Sequence, residues 1–305
     1  MTNEYKCIII HSNNGGGTAG RMKMEEKKME MKKLTALLLA AMMVFSLAAC
    51  GGKTEAENKY NTVTEGKLTV ATSPDFAPYE FYAIDESGSP QLAGFDVALA
   101  GYIANELGLE LEIVPMDFDG TIMELANKTV DLGMAGYSPD PAREDSMDFS
   151  HVYLTGGQSF VCLQSNKDQF KSLADTNKAE YQIGAQIGSI QVGLAEENSP
   201  DADIVELSKV TDIIAELLSG SLDGAYIETM VAEAYAKNYP DLCVVLEVPY
   251  DAEGSVVGVS KGNTALLEAV NAAIDKALED GSMNQFVAEA NELASGEIYE
   301  GLLEN

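Results

Sequence analysis

Residues 131–143 read Asp131-Leu132-Gly133-Met134-Ala135-Gly136-Tyr137-Ser138-Pro139-Asp140-Pro141-Ala142-Arg143. The apolar run at the start predicts a buried strand, and the Gly, Ser and Pro residues after it predict a turn. Arg143 stands on the next element. Backbone carbonyls and a hydroxyl therefore lie near a guanidinium, which forms bidentate pairs with carboxylates. An amino acid needs this pair of chemistries for its ammonium and carboxylate. The alternative is an ordinary surface arginine paired with Glu144 or Asp145.

Strand and helix patterns alternate on both sides of this turn and predict one α/β lobe. In chain order they are strand Lys67–Thr72, helix Asp96–Gly108, strand Leu109–Val114, helix Thr121–Asn127 and strand Val130–Ala135. We expect Asp96 to cap the first helix and Gly108 to end it. A βαβαβ order implies a parallel sheet covered by helices.

The same alternation recurs downstream and predicts a second lobe. Its strands and helices are Tyr181–Ala185, Gln191–Glu197, Ile204–Leu207, Thr211–Leu218, Leu222–Ile227, Met230–Ala236 and Leu242–Val248. We predict lobe 1 at 67–154 plus 256–305 and lobe 2 at 155–255, with hinge crossings near 155–158 and 250–255. The helical tail 263–293, broken near 280–282, should pack on lobe 1. Ligands of open α/β sheets bind beyond the carboxyl ends of the strands.

The amino-terminal residues read as a targeting segment. A basic start at Met31 is followed by the apolar run 34–47, which has the length of a signal peptide core and is too short to span a bilayer stably. It ends in Leu47-Ala48-Ala49-Cys50, which resembles the lipidation box of a bacterial lipoprotein. We therefore predict a leader and signal peptide at 1–49, a lipid on Cys50 and a flexible tether at 50–66. An uncleaved amino-terminal anchor is the alternative.

Charge and cysteine usage exclude several classes of protein. The net charge is −30 over 305 residues, and Arg143 is one of two arginines, the other being Arg21 in the leader. Nucleic-acid binding needs a basic surface, which this composition does not offer. The cysteines lack metal-ligand spacing, so we expect neither cofactor nor metal. Cys162 and Cys243 are either buried free thiols or a disulfide.

Five short motifs together resemble the polar amino-acid family of extracellular solute-binding proteins, which serve ABC importers. They are Ala77-Pro78-Tyr79-Glu80-Phe81, Gly94-Phe95-Asp96, Met116-Asp117-Phe118-Asp119-Gly120, the turn 135–143 with Asp148-Phe149-Ser150, and Gly188-Ser189-Ile190-Gln191. The resemblance covers about 67–286. It implies a type II periplasmic-binding-protein-like fold, in which two α/β lobes joined by two crossings close on a free amino acid.

The resemblance also implies roles for single residues. Arg143 would pair with the ligand carboxylate, which Ser189 and Ile190 on lobe 2 would also contact. Gly136 and Ser138 would contact the ammonium and the carboxylate, and Glu228 would receive the ammonium. Phe76 and Phe118 would flank the ligand side chain. Ser73 and Glu228 stand where many relatives have Asp, and Asp140 stands where relatives have Thr. From the residues alone, Phe76 and Phe118 fit a core role, and Glu228 and Ser189 fit a helix start.

The expected function is a lipid-anchored binding protein on the extracytoplasmic face of the cell membrane. It would be a monomer that captures a polar amino acid and delivers it to an ABC permease. One alternative is an enzyme on the same scaffold, a dehydratase or lyase with Glu228 as acid or base, which a turnover assay would detect. Another is an amino-acid-sensing module. Asp75, Asp117 and Asp119 hint at a cationic ligand.

Overall fold

The structure is a computed structural model that describes residues 58–85, 87–250 and 254–296. The strands are β1 Lys67–Thr72, β2 Asp75–Phe76, β3 Glu80–Ile84, β4 Pro90–Ala93, β5 Glu110–Pro115, β6 Leu132–Gly133, β7 Met147–Phe149, β8 Gln158–Leu163, β9 Gln182–Gln186, β10 Asp203–Leu207, β11 Gly224–Glu228, β12 Leu242–Val248 and β13 Gly258–Ser260. The α-helices are α1 Phe95–Leu107, α2 Phe118–Ala126, α3 Ile190–Asn198, α4 Val210–Ser219, α5 Thr229–Asn238, α6 Thr264–Glu279 and α7 Ser282–Ala294.

A first five-stranded sheet has the order β5-β1-β6-β13-β7. Strand β1 pairs in parallel with β5 and β6, whereas β13 is antiparallel to both β6 and β7. Helices α6 and α7 pack against α1 of this lobe, which confirms the expected position of the tail. The buried side chains Leu68 and Val70 of β1 and Leu99 and Ile103 of α1 belong to one apolar core.

A second five-stranded sheet has the order β10-β9-β11-β8-β12. Strands β9, β10, β11 and β12 run in one direction, and β8, which lies between β11 and β12, is antiparallel to both of its neighbours. Two lobes, each with its own sheet and helices, confirm the predicted fold class. The strands that the sequence predicted in each lobe are parallel, which confirms that expectation. Each sheet also contains one antiparallel strand that the sequence did not predict, β13 in the first sheet and β8 in the second. Each of these is the first strand after the chain crosses from the other lobe, and it enters its sheet in the opposite direction.

The predicted capping role of Asp96 was wrong. Gly94 is the N-cap of α1, and Asp96 lies buried in the first turn of the helix. Gly94 has φ 121°, and a Cβ there would lie 2.0 Å from the Tyr79 carbonyl oxygen. The helix therefore begins before Asp96, because only glycine allows this close backbone approach. Gly108 ends the helix in the left-handed conformation, as predicted.

Two segments near the predicted crossings run side by side. Leu154 and Ser255 form an antiparallel bridge, and the Tyr153 N–H donates to the Ser255 carbonyl at 3.0 Å. Residues 251–253 of the second crossing lie outside the described residues. The exact lobe boundaries at 154–155 and 255–256 stay a prediction.

Part of the predicted tether, residues 58–66, packs on the folded body. Residues 1–57, which include the predicted leader and Cys50, lie outside the described residues. From Asn58 onward the chain packs on the body: the Val63 N–H donates to Asp131 Oδ1 at 2.7 Å, and Thr62 is buried. These bonds hold residues 58–66 against lobe 1. Cys162 and Cys243 face each other across β8 and β12, and both thiols are free.

Candidate functional site

Two adjoining cavities lie where the lobes meet. The smaller, about 10 Å³, is lined by Phe76, Phe118, Gly136, Ser138, Arg143, Gln186, Ser189, Ile190 and Gln191. The larger, about 260 Å³, is lined by Ser138, Gly156, Gly157, Gln158, Glu228, Glu247, Val248, Pro249, Tyr250, Gly254 and Ser255. Ser138 belongs to both walls. The structure thus brings eight of the nine predicted site residues together.

Arg143 lies at the end of a short 3-10 helix, Pro141–Arg143, and is only 8% exposed. Its Nε pairs with Asp140 Oδ2 at 3.5 Å, and Nη2 donates to the Gly188 carbonyl oxygen on lobe 2 at 2.8 Å. The alternative of a surface arginine paired with Glu144 or Asp145 was wrong. A guanidinium has five N–H donors, so these two contacts leave donors for an anion. Burial lowers the pKa of Arg143, and Asp140 opposes that shift.

Asp140 keeps the arginine in place. Its Oδ1 accepts the N–H of Ala142 at 2.9 Å and so caps the 3-10 helix. Its other oxygen pairs with Arg143. One carboxylate therefore orients both the turn and the guanidinium.

The buried side chain of Asp96 supports the turn that follows β6. Gly136 has φ 58°, and its N–H donates to Asp96 Oδ2 at 3.1 Å. A Cβ at Gly136 would lie 2.6 Å from Phe76 Cε1. The N–H is thus committed to Asp96 and is not available to a ligand carboxylate, whereas the carbonyl of this residue can accept a hydrogen bond from a ligand ammonium. Burial raises the pKa of Asp96 to about 6.

Phe76 and Phe118 are almost fully buried, yet both line the smaller cavity. The Phe118 ring meets Tyr137 edge to face, with centroids 5.6 Å apart, and the Arg143 guanidinium carbon lies 5.7 Å from the Phe118 centroid. Phe76 packs on Tyr79 at 5.3 Å. Their packing on core rings fixes both side chains, so they are core residues and cavity walls at once.

The amino terminus of α3 forms the opposite wall of the smaller cavity. Ser189 is its N-cap residue, but the Ser189 hydroxyl donates to the Gln186 carbonyl at 2.7 Å and makes no side-chain cap bond. The first N–H groups of a helix have no partner within the helix and favour an anion. Ile190 begins the helix and lines the cavity. This wall is suited to a carboxylate.

Glu228 ends β11 and caps α5, and it is 4% exposed. Its Oε2 accepts the Val231 N–H at 2.9 Å, whereas its buried Oε1 makes no hydrogen bond to any described residue. Burial raises the pKa of Glu228 to about 7, against the effect of the Val231 hydrogen bond. A Cβ on Gly156 would lie 2.9 Å from Oε1, so glycine leaves room there. A buried carboxylate oxygen without a partner is stabilised when it binds a cation or a proton.

Ser73 lines neither cavity. Its hydroxyl donates to Asp75 Oδ1 at 2.6 Å, and both side chains are buried. The sequence placed Ser73 correctly at the end of β1, but the hydroxyl turns toward a neighbouring acid.

Sequence reasoning missed Glu247 and Tyr250, which line the larger cavity. The Tyr250 hydroxyl donates to the Pro139 carbonyl at 3.0 Å and so connects the turn of lobe 1 to the second crossing. The signal was available, because both residues stand near the carboxyl end of a predicted strand, Leu242–Val248.

Among residues 58–85, 87–250 and 254–296, no group of His, Cys, Asp and Glu side chains is arranged to hold a metal ion. Across the same ranges, every helix is too short or too polar to cross a membrane.

Residues 68–290 match the family model of the bacterial extracellular solute-binding proteins, family 3. The chain belongs to this family. It is 34% identical over 251 residues to the arginine-binding extracellular protein ArtP of Bacillus subtilis, across 81% of this chain and 92% of that protein.

A solved structure and an enzyme are also similar to this chain. The chain resembles the crystal structure of the amino acid ABC transporter substrate-binding protein AbpA from Streptococcus pneumoniae bound to L-arginine. That match has 33% identity and a TM-score of 0.73, and it covers 76% of this chain and 97% of that one. A cyclohexadienyl dehydratase of Pseudomonas aeruginosa is 27% identical over 213 residues, across 69% of this chain and 78% of the enzyme. The scaffold therefore occurs in binding proteins and in an enzyme.

Proposed function

We propose that this protein captures a free polar L-amino acid between its two lobes and delivers it to the permease of an ABC importer. One observation carries the proposal: a buried arginine and a buried carboxylate oxygen without a partner, on Arg143 and Glu228, line adjoining cavities that share Ser138. These opposite charges match the carboxylate and ammonium of a zwitterion. The family and the amino-acid-binding relatives support the same function.

The roles follow from the geometry of each wall. The remaining N–H donors of Arg143 and the amino terminus of α3 at Ser189 and Ile190 bind the carboxylate. Glu228 Oε1 and the Gly136 carbonyl receive the ammonium, while Ser138 lies between the two groups. Phe76 and Phe118 enclose the ligand carbons, since aromatic walls exclude water and strengthen the charged contacts.

The first ligand to test is L-arginine, because two of the relatives above bear arginine in their names or structures. Thermal shift of residues 58–305 against each of the twenty L-amino acids, followed by calorimetry, tests the proposal. The melting temperature should rise with ligand concentration, corresponding to about 2.7 kcal/mol at a hundredfold excess over Kd. Absence of any shift with all twenty would contradict it.

The second candidate is an enzyme of the dehydratase or lyase class. A single observation favours it, namely the buried Glu228, whose pKa near 7 suits a general acid. We favour binding, because Glu228 also caps α5 and its free oxygen meets the need of an ammonium. Mass spectrometry of the bound amino acid after long incubation separates the two, since an enzyme would release an altered product.

We further propose that the protein is a monomer held by lipid on Cys50 at the extracytoplasmic face of the membrane, after removal of residues 1–49. The apolar run 34–47 and the Leu47-Ala48-Ala49-Cys50 pattern support this location.

A further inference from the structure

Asp75 connects the two lobes through its carboxylate. It lies on β2, in the small sheet β2-β3-β4, which packs on α1 of lobe 1, and it is 5% exposed. Its Oδ2 accepts the backbone N–H of Val210 at 2.5 Å and the amide Nε2 of Gln186 at 3.2 Å. Val210 begins α4 and Gln186 ends β9, so both donors belong to lobe 2.

The backbone of Asp75 makes a third bond between the lobes. The hydroxyl of Tyr235, on α5 of lobe 2, donates to the Asp75 carbonyl at 3.1 Å. Three elements of lobe 2 therefore converge on one residue of lobe 1. The remaining carboxylate oxygen, Oδ1, accepts the Ser73 hydroxyl within lobe 1.

Helix α4 lacks a cap of its own. Its N-cap residue is Lys209, which makes no side-chain cap bond and has no acceptor to offer. The first N–H groups of a helix need acceptors, and a negative charge near them is favourable. Asp75 supplies that acceptor from the opposite lobe, which is possible only while the lobes are in contact.

We propose that Asp75 is a closure residue, whose carboxylate caps α4 across the cleft in the closed form and thereby strengthens ligand binding without touching the ligand. The inference rests on the proposed function for its ligand. It also reinterprets the hint that Asp75 receives a cationic ligand side chain. Its two oxygens already accept hydrogen bonds from Ser73, Val210 and Gln186.

The two roles differ in what they predict for different ligands. A contact made only in the closed form raises the closed fraction, and the apparent Kd varies inversely with that fraction. Loss of the contact must then weaken every ligand by the same factor. Loss of a direct ligand contact would weaken a cationic ligand and spare a neutral one.

Asp75→Ala is the test variant, with L-arginine and L-glutamine as cationic and neutral probes in calorimetry. Alanine is used because the side-chain oxygen of an asparagine could still accept the Val210 N–H. The matched control is Asp131→Ala. Asp131 is also a buried aspartate, 1% exposed, but its oxygens accept the N–H groups of Val63 and Thr69 within lobe 1. We expect Asp75→Ala to raise Kd about tenfold and equally for each probe that binds. Asp131→Ala should lower the melting temperature and leave Kd within twofold.

An unchanged Kd in Asp75→Ala, or a loss confined to L-arginine, would overturn the proposal. Tyr235→Phe removes a second bond between the lobes and should raise Kd in the same direction, which provides a test if Asp75→Ala fails to fold. If neither probe binds the wild type, amide hydrogen exchange of ligand-free protein tests the closure role by itself. Faster exchange of the Val210 N–H in Asp75→Ala supports the role, and equal exchange rejects it, whatever the outcome for the proposed function.

Discussion

At the scale of single residues, the site depends on two buried charges that the folded chain leaves incompletely paired. Arg143 contacts Asp140 and the Gly188 carbonyl, which together use only part of its donor capacity. Glu228 keeps one oxygen without a partner. Burying such groups costs free energy, which a zwitterionic ligand with complementary charges can offset.

Arg143→Ala should weaken amino-acid binding by about 2–5 kcal/mol, as for the loss of one member of a desolvated charge pair. Arg143→Lys should also weaken it, because an ammonium lacks the planar fork of donors. Calorimetry with the ligand from the thermal-shift screen measures both, and circular dichroism checks the fold. Wild-type affinity in Arg143→Ala would remove the arginine from the site.

Glu228 makes affinity depend on pH. Burial raises its pKa in the empty protein to about 7. A ligand ammonium favours the carboxylate, so the pKa falls on binding, and affinity is full above about pH 7 and declines as the pH falls below it. The decline is at most about tenfold per pH unit. Asp75 titrates at lower pH, because burial raises its pKa only to about 6.

Calorimetry between pH 6.5 and 8, above the pKa of Asp75, therefore follows mainly Glu228. Glu228→Gln, which keeps the shape without the charge, should bind more weakly and show a flat profile over this range. A flat profile in the wild type would mean that Glu228 does not face the ammonium.

At the scale of elements, helix α1 begins at a position that only glycine can occupy. Gly94 lies against the Tyr79 carbonyl with φ 121°, and the helix that follows carries Asp96 under the Gly136 turn. The start of α1 thus positions one wall of the site.

Gly94→Ala should destabilise the protein by at least about 2 kcal/mol, because of strain and the clash with the backbone. Gly101→Ala, in the interior of the same helix with open space around it, should stabilise by about 0.5–1 kcal/mol. Urea unfolding of the two variants measures both. If both substitutions stabilised the protein, or both destabilised it, the argument that Gly94 is required by the backbone would be contradicted.

At the scale of the whole molecule, ligand binding should change the shape of the protein. Bonds between the lobes at Asp75 and from Arg143 to Gly188 exist in this closed arrangement. A ligand that contacts both lobes has extra contacts in the closed form and so shifts the population toward it. Small-angle scattering should show a smaller radius of gyration at ligand saturation than in the empty protein. Identical radii would mean that the lobes do not move.

The proposed location at the membrane surface requires an anchor. If lipid on Cys50 is that anchor, Cys50→Ser should leave the protein in the medium or as an unprocessed precursor. Fractionation of cells that express wild type and variant measures this. A processed variant that stays in the membrane fraction would indicate another tether.

The sequence by itself determined the alternating strands and helices of the two lobes, the turn 136–138 and the chemistry at the strand ends, although it did not reveal β2, β3, β4, β7, β8 and β13. The features that it did determine depend on local patterns: apolar periodicity, glycine and proline at turns, and a single arginine downstream of the predicted leader in an acidic chain. For the same reason the predicted helices and strands lie within a few residues of those in the structure, as with α3 at Ile190–Asn198.

Only the tertiary structure determined the role of each buried acidic residue. Asp96 supports the Gly136 turn instead of capping α1, Glu228 keeps a free oxygen toward a cavity, and Asp75 bonds to Val210, 135 residues further along the chain. The antiparallel strands β8 and β13 also followed from the path of the chain between the lobes. Each outcome depends on burial and on contacts between distant segments. The chain has 49 acidic residues, and local sequence patterns do not indicate which few of them are buried in the folded protein.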